Sequence, residues 1–291
     1  MRFWLSVTFV PTELLPGIAV AAEEAGFTGL ALGEHLVVMD HVESRYPYSA
    51  TGDPVMRPDS HFPDPLVTAA ALGAATTRLR FLTSVYVLPL REPLAAAKAV
   101  ATAAVLTGDR LELGIGAGWL AEEFAAAGQD FSTRGRRTDE MVEILQALLA
   151  GGPVEHHGEL VDFPLLQMAP VPERPVPLYV GGHTPAALRR AAALDGWIGI
   201  PRTDDELPPL LDALREARRK AGTLDRPFVI VVRPPEAGTV ASYRALAGLG
   251  VTDVMVATHQ GMGSRKAGPD EQRRTMRSFM TSVAEVVGEL G

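Results

Sequence analysis

Short, nearly continuous apolar runs alternate along the chain with longer Ala-rich segments, and this rhythm repeats from end to end. The runs predict strands at Arg2–Thr8, Gly29–Gly33, Leu79–Leu88, Arg110–Ile115, Leu178–Gly181, Gly196–Ile200, Pro227–Arg233 and Thr252–Ala257. Runs such as Val229 to Val232 carry no polar alternation, as expected of a parallel sheet covered on both faces. Between them, helices are predicted at Thr12–Ala25, Pro65–Thr76, Pro93–Leu106, Arg136–Leu149, Pro185–Leu194, Asp204–Ala221, Thr239–Gly248 and Pro269–Gly288. Asp64-Pro65, Glu92-Pro93 and Thr184-Pro185 mark starts, because a first-turn Pro lacks only an N–H that would have no partner there.

Eight strands alternating with eight helices fit a (β/α)8 TIM barrel with insertions after strands two and four. A doubly wound open sheet is the alternative, since periodicity does not reveal strand order. The surplus residues lie at 34–63 and 151–177. Loops this long are usually functional or disordered. The second, of 27 residues, is too short for a core of its own, so residues 1–291 are read as one domain.

Composition narrows the classes. With no Cys, disulfide scaffolds, thiolate zinc sites and cysteine nucleophiles are excluded. A net charge of −8 argues against nucleic acid and anionic membranes as partners. Pro11, Glu13 and Pro16 interrupt the first apolar stretch, and no window approaches the ~20 apolar residues of a membrane span. A cytoplasmic protein acting on a small molecule is expected.

In a barrel, the residues following each strand build the active site. Gly33-Glu34-His35 follows strand two, and His35 could move a proton near neutral pH. Glycine-rich turns follow strands four and five, at Gly114 to Trp119 and at Gly181-Gly182-His183. Exposed N–H groups there could cradle a phosphate, or the glycines could serve the turns alone. Neither turn is a Rossmann fingerprint. A metal site at His35, His41 and His61 lacks any HxH or HExxH spacing. The pair His156-His157 reads as solvated surface, and Arg134 to Glu140 as surface ion pairs.

The stretches Phe81 to Lys98, Leu106 to Phe124 and Phe131 to Glu140 resemble the luciferase-like monooxygenase superfamily. So do Leu178 to Gly182 and Asp195-Gly196-Trp197. Gly118-Trp119-Leu120, followed by Glu122-Glu123-Phe124, most resembles the branch using the deazaflavin coenzyme F420. The resemblance implies a TIM barrel, usually a homodimer, with the ring at the strand carboxyl ends. It makes His35 the active-site histidine, with Glu34, standing where relatives often have Asp, helping to orient it or contacting the cofactor. Ser84-Val85 becomes a non-prolyl cis peptide beneath the ring. Ala117, Gly118, Gly181, Gly182 and His183 become contacts to cofactor phosphate and tail, with Arg174, Arg189 or Arg190 as neutralising cations. An FMN-dependent monooxygenase and a non-catalytic flavin-binding barrel are the alternatives.

Overall fold

The computed structural model describes residues 1–284 and 286, except 202, 236–237 and 264–266. Its strands are β1 (Arg2–Ser6), β2 (Gly29–Leu32), β3 (Arg80–Thr83), β4 (Tyr86–Val87), β5 (Leu111–Gly116), β6 (Pro153–His157), β7 (Asp162–Gln167), β8 (Leu178–Gly181), β9 (Gly196–Gly199), β10 (Val229–Val232) and β11 (Asp253–Val256). All but β6 and β7 form one parallel sheet. It runs β3-β2-β1-β11-β10-β9-β8-β5 and closes through β3 against β5, giving the expected barrel. The end predicted for the last helix, Gly288, lies outside the described residues.

One expected strand is two. β3 pairs with β2 as far as Thr83, whereas Tyr86 and Val87 of β4 pair only with Ile115 and Gly116 of β5. Between them the Ser84–Val85 peptide is cis, as the resemblance implied.

Alternate residues of each strand face the barrel interior, so the axis is filled in layers. The lowest layer is ionic. Glu112 binds Arg2 at 2.9 Å, Arg80 at 2.5 Å and the Tyr179 hydroxyl at 2.7 Å. Asp253 takes the Arg2 Nε at 2.7 Å and the Trp4 indole N–H at 2.6 Å. Carboxylates this buried persist only when paired and hydrogen-bonded. Above them Trp4, Leu82, Tyr179, Ile198, Val231 and Met255 form an apolar plug. One step higher stand Ser6, Ser84, Gly116 and Gly181, at the mouth. Polarity therefore returns where the cavity begins.

The outward-facing strand residues pack under helices α1 (Leu15–Ala25), α2 (Pro65–Ala75), α3 (Pro93–Leu106), α4 (Ala121–Ala126), α5 (Arg134–Ala150), α6 (Pro185–Ala193), α7 (Leu207–Ala221), α8 (Val240–Gly248), α9 (Thr258–Gly261) and α10 (Pro269–Ser282). The three Pro starts are genuine. Asp64 accepts from the N–H groups of Leu66 and Val67, Glu92 from those of Leu94 and Ala95, and Thr184 from that of Ala187. The short α4 was not anticipated, and it proves central to the site.

Residues 34–63 contain no helix or strand and fold over the mouth as a lid. Residues 151–177 contain the antiparallel hairpin β6–β7, whose Phe163 joins the main core beside Met168 and Val176. Glu140 on α5 grips the hairpin turn, accepting from the N–H groups of Leu160 and Val161 and from His156. That corrects the reading of His156-His157. His157 is exposed, but the His156 side chain is only 17% exposed.

Candidate active site

A cavity partly open to solvent lies over the carboxyl ends of the strands. Ser6, Ser84 and Met255 form its floor, Tyr46 and Phe62 of the lid cover it, and His35 and Trp119 stand at its side.

His35 is fixed from three directions. Its Nδ1 lies 3.1 Å from Glu123 Oε2, and its ring meets Phe62 and Trp119 edge-on at 5.0 and 5.8 Å. The Glu123 side chain is 2% exposed, and its other oxygen accepts from the N–H groups of Leu36 and Val37. With Nδ1–H committed to a carboxylate, Nε2 is the ring position left for substrate. It accepts a proton when the ring is neutral and donates one when the ring is charged.

Glu34 points the other way. Its Oε2 accepts the Val87 N–H at 2.9 Å, and Oε1 pairs with Arg91, whose guanidinium lies 4.1 Å over the Tyr86 ring. Burial pushes the carboxyl up to about 7, against the pull of Arg91 and the Val87 N–H. Glu34 thus ties the end of β2 to β4, behind the Ser84–Val85 turn. Ser84 itself is held by its N–H to Leu32 O at 2.7 Å and by its hydroxyl to Met255 Sδ at 3.5 Å.

The two glycine turns have a packing reason that sequence could not supply. A Cβ on Gly116 would lie 2.6 Å from Val85 Cγ2, and one on Gly181 would lie 2.7 Å from Val85 Cγ1. Val85 therefore occupies the space that both glycines leave. Gly118, at φ +80°, would press a Cβ to 2.6 Å from Phe124 Cε2. The turns also retain donors. Among the described residues, nothing accepts from the N–H groups of Ala117 and Gly118. Half-buried donors beside a glycine turn suit an acidic group.

His183 closes that side. Its Nε2 accepts the Ile200 N–H at 3.1 Å, so a neutral ring carries its proton on Nδ1. The ring contacts Tyr48 of the lid at 5.1 Å and Trp197 at 5.9 Å, while the Trp197 indole N–H donates to Gly182 O at 2.8 Å.

The structure thus brings Glu34, His35 and Ser84 to the cavity, and Val85, Ala117, Gly118, Gly181, Gly182 and His183 to the adjoining strand ends. It does not assemble the metal trio. His41 is exposed and His61 bonds to Thr12, and among the described residues no three His, Asp or Glu are placed to hold an ion. The proposed cations also change. Arg174 lies beside Asp109 at the amino end of the barrel, and Arg190 pairs with Asp139 between α5 and α6. Arg189 is exposed on α6. Among the described residues, Arg233, at the end of β10, is the arginine lining the cavity.

Sequence reasoning missed Arg233 and Glu123. The available signal for Glu123 was Glu122-Glu123 in the first turn of a helix. Acidic residues there are ordinarily explained by the helix dipole.

The profile of the luciferase-like monooxygenase family matches residues 11–278. An uncharacterised protein of Mycobacterium tuberculosis is 38% identical over 256 residues, covering 88% of each chain. The F420-dependent glucose-6-phosphate dehydrogenase of Gordonia bronchialis is 32% identical over 221 residues, covering 73% of this chain and 60% of its own. In structure, the monooxygenase RslO1 of Streptomyces bottropensis superposes with a TM-score of 0.76 at 19% identity, covering 99% of this chain and 100% of the other. With the family profile spanning nearly the whole of the closed barrel, the chain belongs to the luciferase-like monooxygenase family.

Proposed function

We propose that the chain is an F420-dependent oxidoreductase passing a hydride between the deazaflavin coenzyme and a small organic substrate. The observation that carries this reading is His35, held by buried Glu123 at the edge of a lidded cavity above Ser84. The kinship with an F420-dependent dehydrogenase supports the choice of coenzyme.

When bound, the deazaflavin supplies or takes up the hydride. Ser84 and Val85 would underlie its ring, while Ala117, Gly118, Gly181, Gly182 and His183 would hold its acidic tail. His35 Nε2 then holds or moves the substrate proton, and Glu123 keeps the imidazole aimed. Tyr46, Phe62 and Trp119 exclude water, which keeps the hydride from being lost to solvent chemistry. A homodimer, acting in the cytoplasm, belongs to the same proposal.

Titration with F420 and with FMN tests the coenzyme. Tight quenching of F420 fluorescence with FMN indifferent is the expected result. Tight FMN binding with F420 indifferent would instead favour an FMN-dependent monooxygenase. Coenzyme binding with no turnover across a broad substrate screen would point to a binding protein.

A further inference from the structure

The cavity has a polar wall that hydride transfer does not use. Arg233 follows β10, which lies four strands from β3 in either direction around the closed sheet, directly across the mouth from Ser84. Its backbone is fixed by its N–H to Gly199 O at 3.0 Å. Its charge reaches Tyr46, whose phenol burial pushes up and Arg233 pulls down. Two strands further round, at the end of β1, the Ser6 and Thr8 hydroxyls lie 3.2 Å apart and line the same cavity. Adjacent strands are ~4.8 Å apart, so the two ends stand roughly 10 Å apart, within the reach of an Arg side chain.

Met56, Phe62 and Trp119 add apolar surface to the same cavity. Glu34, which lines this cavity, is already paired with Arg91. Among the described residues, no carboxylate pairs with Arg233. A guanidinium and two hydroxyls, sharing one cavity with aromatic and thioether surface, match a ligand with an acidic end and an apolar body.

From this we infer that the substrate is an amphipathic organic acid. Its carboxylate binds Arg233 beside Ser6 and Thr8, and its apolar body lies under the lid, reaching His35. This rests on the hydride-transfer reading for what happens to the body, but not for the binding itself. A coenzyme phosphate shares the same chemistry. However, the glycine turns follow β5 and β8, three and two strands away from β10.

Binding of trans-cinnamate and methyl cinnamate, followed by calorimetry, separates these cases. Wild-type protein should bind the acid ~10- to 100-fold more tightly than the ester, the range for a hydrogen bond to a charged group. Arg233→Met should erase that preference while leaving ester binding and F420 quenching within about twofold of wild type. Arg233→Lys, which keeps the charge, should retain part of it. Equal binding of acid and ester by wild type, or an undiminished preference in Arg233→Met, overturns the inference. So does a large loss of F420 affinity in Arg233→Met with the acid preference intact, which would assign Arg233 to the coenzyme tail. If wild type prefers the acid yet does not bind F420, the acid site stands and the hydride-transfer reading fails.

Discussion

Glu123 Oε2 and His35 Nδ1 stand 3.1 Å apart although 88 positions separate them in the chain. The same carboxylate accepts from the N–H groups of Leu36 and Val37, where the lid begins. One side chain on α4 therefore sets both the direction of the imidazole and the path of the covering loop. Because the carboxylate is buried, its bonds to His35 and to the lid are shielded from water and salt.

That relationship gives the first prediction. His35→Ala should lower turnover by ~10²–10⁴-fold, the usual worth of general acid–base help, with F420 affinity within a few-fold of wild type. Glu123→Gln should cost ~10- to 100-fold, because the amide is a poorer partner for a charged imidazole. His183→Ala should instead weaken coenzyme binding more than turnover at saturating coenzyme. Steady-state rates alongside fluorescence titrations check all three. An unchanged rate in His35→Ala would reassign that residue to ring contact.

The Glu34 carboxyl gives a stability prediction. Its pKa is about 7 in the folded chain, against an ordinary value of ~4.3 when unfolded. Between these values the folded state binds the extra proton, so the contribution of Glu34 is fully present at low pH and is lost as pH rises through about 7. Glu34→Gln removes this linkage. From pH ~4.5 to ~7.5, wild type should lose up to ~3 kcal/mol relative to the variant. Urea unfolding at both pH values measures it, and parallel behaviour of the two proteins would refute it.

Val85 and the glycines should be energetically coupled. Gly181→Ala places a Cβ 2.7 Å from Val85 Cγ1, an overpacking expected to cost ~1–3 kcal/mol. Val85→Ala in that background removes the atom in the way and should recover a good part of the loss. A double-mutant cycle reads the coupling, and strict additivity would show that the clash is relieved elsewhere.

Glu122 should latch the lid. Its Oε1 accepts from the N–H groups of Glu43 and Ser44 at 2.6 and 2.9 Å. Desolvation opposes ionisation, but hydrogen bonds from Ser44 and Glu43 hold the carboxyl down at about 2. The charged latch is therefore present above the ordinary carboxyl range and is lost only as pH falls through about 2. Glu122→Ala should raise hydrogen exchange at Glu43 and Ser44, at neutral pH, while leaving the barrel strands protected. Unchanged exchange at both amides would remove the latch.

Much of the architecture is already legible along the chain. Apolar runs too continuous for a one-sided sheet demand burial on both faces, and Pro behind Asp64, Glu92 and Thr184 marks helix starts because capping is local. The hairpin at Pro153–His157 and Asp162–Gln167 was not legible. Pro153 and Pro164 are tolerated there because a two-stranded sheet is all edge, so residues that ordinarily argue against strands do not forbid these. Nor does the single run from Leu79 to Leu88 announce that pairing with β2 stops at Thr83 and that only β5 is paired beyond Ser84–Val85.

By itself, then, the sequence determined the eight apolar runs of the barrel, the helices between them and the strand-end positions of His35, Glu34 and the two glycine turns, since each follows from nearest neighbours along the chain. Tertiary structure decided what those residues touch. It turned Glu34 away toward Arg91, gave His35 to Glu123, filled the space at Gly116 and Gly181 with Val85, and put Arg233 across the mouth from Ser84. These are contacts between distant segments, fixed only when the sheet closes on itself and brings the carboxyl ends of all its strands around one cavity.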